Sequence, residues 1–202
     1  MSKTFSFDTQ LNNYKSLGLA LSGGIDSALL LYYLLNQDYK IKCYTAIDKN
    51  NDNNRQAATD IKDLIEKKTG KTVEHFEFIE YEKDHEKGKR EKMTEIWTNL
   101  FNSNTIDCIL TGAIQYLKSI DDKWNQVDKK KATDTKWMKG SGTYITYRPF
   151  LEHDKTWIKQ GCDANELTDN LVKISVSCNS TSTPPCKDCL PCAEKYQAFG
   201  CY

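Results

Sequence analysis

Leu19-Ala20-Leu21-Ser22-Gly23-Gly24-Ile25-Asp26-Ser27-Ala28-Leu29-Leu30-Leu31 is the stretch on which the fold turns. An apolar run that stops at Ser-Gly-Gly and resumes with good helix formers predicts a buried strand, a tight turn and a helix. Adjacent glycines at 23 and 24 permit positive φ and close approach of a ligand to backbone. The helix behind them turns unpaired N–H groups and its positive dipole end on the same spot. Together these features predict an anion site suited to phosphate. The plainer alternative is a glycine turn capped by Asp26 or Ser27.

Outward from that turn, the pattern alternates. Ser16 to Leu21 reads as the first strand, Asp26 to Asn36 as the first helix and Ile41 to Ile47 as the second strand. A polar loop, Asp48 to Asn54, feeds a helix from Arg55 to Lys68 with Ala58, Ile61, Leu64 and Ile65 on one face, ended by Thr69-Gly70. Val73 to Ile79 reads as a third strand and Lys89 to Phe101 as a helix that turns Met93, Ile96, Trp97 and Leu100 inward. Ile106 to Gly112 makes a fourth strand. Strand and helix in alternation imply right-handed crossovers and a parallel sheet covered on both faces, with ligands beyond the carboxyl ends of the strands.

Lys118 to Gly142 breaks the pattern: it is polar, basic and too long for a simple connection, which predicts a lid or solvated loop. Order returns with Tyr144 to Tyr147 as a fifth strand. A helix follows that contains Asp154, Lys155, Trp157 and Ile158 and stops at Gly161. Ala164 to Thr168 opens another helical piece, and Leu171 to Ser177 reads as an extended run.

At 202 residues the chain is long enough for one well-filled domain, and its formal charge of zero argues against nucleic acid as a general partner. No apolar run reaches membrane-span length and no signal core opens the sequence, so the expectation is a cytoplasmic protein with no membrane partner. In that setting the eight cysteines predict metal ligands or buried thiols sooner than disulfides. Cys178, Cys186, Cys189 and Cys192 form C-x7-C-x2-C-x2-C, a spacing that lets four thiolates converge on Zn2+, with an iron–sulfur cluster as the alternative. Cys43 and Cys108 sit in strand patterns as buried thiols. His75, His85 and His153 lack the spacing of a metal site.

Ser-Gly-Gly-x-Asp-Ser between strand and helix resembles the phosphate loop of the N-type ATP pyrophosphatases, enzymes that release pyrophosphate and leave AMP on their substrate. Paired with the cysteine cluster it is similar to the 7-cyano-7-deazaguanine synthase family. Pro149-Phe150-Leu151 with Lys155 resembles that family's Pro-Leu segment and following Lys. Ser177-Cys178 matches its Ser-Cys, and Cys192 to Phe199 resembles its closing C-x2-R-x2-A-F with Lys195 in place of Arg. The family's substrate-reading Tyr-Pro-Asp-Cys-Arg has no counterpart in residues 118–142.

The resemblance implies an α/β fold with a parallel five-stranded doubly wound sheet of the adenine nucleotide alpha hydrolase type. Residues 1–150 would form the ATP domain and 151–202 a helical segment with a small zinc-binding element. It implies ATP, Mg2+ and Zn2+ as cofactors. Leu21, Ser22, Gly23, Gly24, Ile25 and Ser27 would hold phosphates, and Asp26 the magnesium. Ala46, Ile47 and Gly112 would hold adenosine, and Lys155 and Arg148 would stabilise phosphate charge. The implied reaction joins a deazapurine carboxylate and ammonia into a nitrile, in a protein that forms a homodimer. Three alternatives stand beside it: adenylation of another carboxylate, such as in deazapurine–protein conjugation; tRNA thiolation with Cys108 or Cys162 as the catalytic thiol; and a nucleotide-binding module without activity.

Overall fold

A computed structural model describes residues 5–49, 53–82, 86–115, 135–139, 144–178 and 184–202. Its strands are β1 (Leu17–Ala20), β2 (Ile41–Asp48), β3 (His75–Tyr81), β4 (Cys108–Leu110), β5 (Trp137–Lys139) and β6 (Ile145–Tyr147). Its helices are α1 (Ile25–Asn36), α2 (Asn53–Thr69), α3 (Glu86–Asn102), α4 (Lys155–Ala164), α5 (Thr168–Ile174) and α6 (Leu190–Phe199), preceded by a 3-10 turn at Thr9–Asn13.

The strands form one sheet in the order β3-β2-β1-β4-β6-β5, and every pairing is parallel except that of β5 with β6. The fold class is therefore α/β with a mostly parallel six-stranded sheet, one strand more than the sequence pattern predicts. The extra strand, β5, comes from the basic stretch expected as a lid. Most of that stretch, residues 118–134 and 140–142, lies outside the described residues. β5 exists because Trp137 stacks on Tyr147 at 4.2 Å and on Tyr14 at 5.5 Å, while its indole N–H donates to Asp8.

Side chains alternate across the sheet, and the core divides accordingly. Cys43, Cys108 and Leu110 face one way, with α1, α2, α4 and α5 supplying Leu29, Ile61, Ile158 and Leu171 to that layer. Tyr44 and Ile109 face the other way, toward Trp97 of α3 and its half-buried neighbours Met93, Ile96 and Leu100. Both faces are thus covered, as alternating strands and helices predict.

Two element ends differ from the sequence expectation. Gly161 does not stop its helix; α4 runs on to Ala164. A Cβ at 161 would stand 2.8 Å from Leu29 Cδ2 and 2.9 Å from Tyr33 Oη, so the glycine is a close-approach residue that seats α4 on α1. The extended run expected from Leu171 begins only at Ser175, because α5 continues through Ile174 and Leu171 is fully buried under it. No described helix is long and apolar enough to cross a membrane.

Candidate functional site

The chain runs from β1 outward to β2 and β3, then returns to β4 on the other flank of β1. In open α/β sheets such a reversal is where ligands bind, and residues 21–27 lie there, at the carboxyl end of β1. Leu21 is locked to β2: its N–H donates to Tyr44 O at 2.9 Å, and its carbonyl accepts from Thr45 Oγ1 at 2.7 Å. Gly23 has a φ of +81° and its missing Cβ faces Ala57 and the Asn54 carbonyl at 3.3 Å, so both conformation and space call for glycine there.

Ser22 and Ser27 close the turn on itself. Their hydroxyls stand 3.2 Å apart, the Ser22 N–H donates to Ser27 Oγ at 3.2 Å, and Ser27 Oγ donates to the Gly24 carbonyl at 3.0 Å. Gly24 caps α1 without any side-chain cap, so no capping side chain takes up the first-turn N–H groups. The serines therefore shape the cradle instead of filling it.

Lys155 opens α4 and reaches both Asp26 oxygens at 2.7 Å. Its side chain is 5 % exposed and that of Asp26 is 23 % exposed. Asp154 caps α4 by accepting from the Trp157 N–H at 3.0 Å, and Gly161 seats the helix on α1. Those two local features aim a buried ammonium at the acidic first turn of α1.

Gly112 lies just past β4, and a Cβ there would stand 2.8 Å from both the Asp26 carbonyl carbon and the Ser27 nitrogen. Its position brings the β4 end against the start of α1. Ala46 and Ile47 continue β2 one and two residues beyond the Thr45 contact with Leu21, Ala46 half-buried and Ile47 buried. Arg148 follows β6, half-buried, with its N–H donating to Lys136 O at 2.8 Å. Arg55 turns instead to β3: it pairs with Glu80 at 2.8 Å and lies over the Phe78 ring.

Glu194 on α6 is a residue that the sequence reading passes over. It is 7 % exposed, and its Oε1 has no hydrogen-bond partner among the described residues. Burial pushes its carboxyl up to about 7 against the pull of the Lys155 ammonium, and the Asp26 charge pushes the same way as burial. No spacing marks a single Glu in a helix; only the packing of α6 on α4 reveals it.

Cys178, Cys186, Cys189 and Cys192 offer sulfur atoms that all lie within 4.8 Å of one another. The Asp188 N–H donates to Cys186 Sγ at 3.5 Å and the Cys186 N–H to Cys178 Sγ at 3.4 Å. The Asp188 amide first, and then the Cys178 side chain, bring the Cys186 thiol down to about 7. Four convergent soft donors, with amides turned on the sulfur, fit a tetrahedral metal, and the cluster could bind zinc. Cys43, Cys108 and Cys162 stand apart, fully buried in the core. Burial pushes the last two up to about 12.

No family model matches this sequence, and no curated protein matches it. Among solved structures, NMN synthetase from Francisella tularensis superposes with a TM-score of 0.54 over 96 % of this chain and 81 % of that one, at 13 % sequence identity. At that identity the likeness is one of fold. What fold and site define together is an α/β protein with a strand, glycine-turn and helix cradle at its sheet reversal, and beside it a four-cysteine cluster.

Proposed function

We propose that this chain is an ATP-using, adenylate-forming enzyme. The observation that carries the reading is Lys155 held on Asp26 at the mouth of the 22–27 turn. A dianionic phosphate chain with a divalent cation needs backbone donors, one carboxylate for the metal and one fixed cation, and all three meet there. The fold shared with a solved synthetase supports the same class.

Within that class we propose the 7-cyano-7-deazaguanine synthase type, on the sequence resemblance of the phosphate loop and the cysteine cluster. The substrate carboxylate attacks the α-phosphorus of ATP, pyrophosphate leaves, and ammonia displaces AMP to give an amide. The amide oxygen then attacks the α-phosphorus of a second ATP, a second pyrophosphate and one N–H proton leave, and loss of AMP with the last N–H proton gives the nitrile. Neither step needs a protein nucleophile: positioning and charge neutralisation at the leaving pyrophosphate suffice. Loop amides and Ser22 would cradle the β,γ-phosphates, and Lys155 would neutralise them once Asp26 turns to magnesium. Magnesium, when bound, supplies a Lewis acid on the phosphate oxygens. Ala46, Ile47 and Gly112 would face adenosine and Arg148 the phosphates, while zinc on the four cysteines would be structural. The burial of Cys108 and Cys162 disfavours a thiolation reaction, which requires an accessible thiolate.

Pyrophosphate release from ATP and magnesium, with 7-carboxy-7-deazaguanine and an ammonium salt, tests the reading when followed by mass analysis of the purine. A nitrile is expected. Pyrophosphate without a nitrile keeps the class and moves the acceptor to another carboxylate, the second reading favoured by the missing Tyr-Pro-Asp-Cys-Arg. No substrate-dependent pyrophosphate overturns the nitrile assignment, and acceptor proteins or tRNA are then the substrates to try.

A further inference from the structure

Two chain segments leave the cysteine cluster and meet again at Ser175, next to the residue that bonds the 22–27 turn. The first runs backward from Cys178: two residues earlier, the Val176 N–H donates to the Gly23 carbonyl at 2.9 Å. Gly23 is the left-handed residue of the turn, so whatever fixes its carbonyl fixes the direction of the amides that follow. The second segment is α6, which starts at the cluster. Three residues after Cys192, Lys195 sends its ammonium to the carbonyls of Ser175 and Val172, each at 3.2 Å.

Lys195 is 3 % exposed, and burying an ammonium is costly unless it is bonded. Its acceptors are carbonyls at the end of α5, where helical partners run out, so it closes that helix and grips the residue before Val176. Ser175 is itself buried, and its hydroxyl has no partner among the described residues. Cluster, α6, Lys195, Ser175 and Val176 thus form a closed circuit, and Gly23 is bonded to it through Val176. A metal that draws Cys178 toward Cys192 tightens the circuit, and an empty cluster slackens it.

We infer that the four-cysteine site positions the phosphate loop through Lys195 and Val176, so that metal binding and nucleotide binding are linked. The inference rests on the reading of residues 22–27 as a phosphate site. Lys195 is here a positioning residue and touches no reacting atom. Linkage is reciprocal: phosphate bound at the loop must raise the affinity of the cysteines for metal by the same factor.

The test compares zinc-loaded and zinc-stripped full-length protein by calorimetry, with inorganic pyrophosphate and with magnesium ATP as probes. Zinc loading should tighten both by on the order of tenfold, and saturating pyrophosphate should hinder zinc transfer to a competing chelator at equilibrium by the same factor. In the zinc-loaded state, Val176→Pro removes the N–H and should bind probes as weakly as stripped protein while keeping its zinc. Lys195→Met should behave likewise and Lys195→Arg should restore binding. Equal probe affinity with and without zinc overturns the inference. If stripping unfolds the chain, normal probe affinity in folded, zinc-loaded Lys195→Met overturns it instead. Failure of every form, zinc-loaded included, to bind either probe overturns the phosphate reading of the loop.

Discussion

Lys155 and Asp26 are 129 positions apart in sequence, and in the folded chain the lysine ammonium stands 2.7 Å from both oxygens of the carboxylate. The pair is unequal: the lysine is almost wholly buried, while the aspartate keeps part of its surface in water. Removing Asp26 strands a buried cation, whereas removing Lys155 leaves a carboxylate that water can reach. Asp26→Ala should therefore destabilise the chain more than Lys155→Met. The first should cost roughly 3 kcal/mol, the low end for breaking a buried pair, and the double substitution should recover part of that loss. Denaturant titration of the three variants checks the order; an equal or reversed order removes the asymmetry from the account.

Gly112 offers a second handle. A methyl at that position meets backbone atoms of Asp26 and Ser27 at 2.8 Å, and backbone cannot swing aside as a side-chain end can. Gly112→Ala should cost about 1–3 kcal/mol and displace the first turn of α1. Thermal melting together with the amide spectrum of residues 24–28 would reveal both effects, and an unshifted spectrum would contradict the packing.

The cysteines should divide by reactivity. Cys43, Cys108 and Cys162 are wholly buried and burial raises each thiol, so none should react with iodoacetamide at mildly alkaline pH until the chain is unfolded. Metal-stripped native protein should be alkylated at the cluster instead, Cys186 first. Peptide mapping after a short exposure measures this directly.

Zinc content supplies another check. The folded chain should carry a single ion, released by a strong chelator, and Cys186→Ser or Cys189→Ser should lower the zinc content while leaving the sheet intact. Elemental analysis beside circular dichroism separates loss of metal from loss of fold.

His153 lies flat on Trp157, ring centroids 3.9 Å apart at 7°, and half-burial followed by the nearby Lys136 charge lowers its pKa below the usual 6.5. A histidine depressed in the folded state favours its neutral form. Its contribution to stability is therefore full above pH 6.5 and is lost as pH falls through the folded value. Trp157 fluorescence, followed against pH with and without His153→Phe, should show a titration below 6.5 that the variant lacks.

Much of this molecule was legible in its sequence because its central features are local. The turn after β1 announces itself through adjacent glycines between two apolar runs, and the cysteine cluster through spacing alone. What escaped the pattern depends on distant partners. β5 is three residues long and exists because Trp137 finds Tyr147 and Tyr14. α4 passes through Gly161 because Leu29 and Tyr33 need the space that a glycine leaves, whereas a glycine read in sequence signals a stop. Glu194 looks like any helical glutamate until α4 and α6 bury it.

The strap from Val176 to Gly23 also has a consequence for synthesis. The loop precedes Lys155, Val176 and Lys195 in the chain, so it leaves the ribosome before the residues that bond it directly or through Ser175. If residues 22–27 hold phosphate, as we propose, a nascent chain would carry the whole Ser22 to Ser27 sequence long before those partners were made. Competence to bind would then arrive late and abruptly, with the C-terminal helices, and a product cut short before Lys155 would have the motif without the grip.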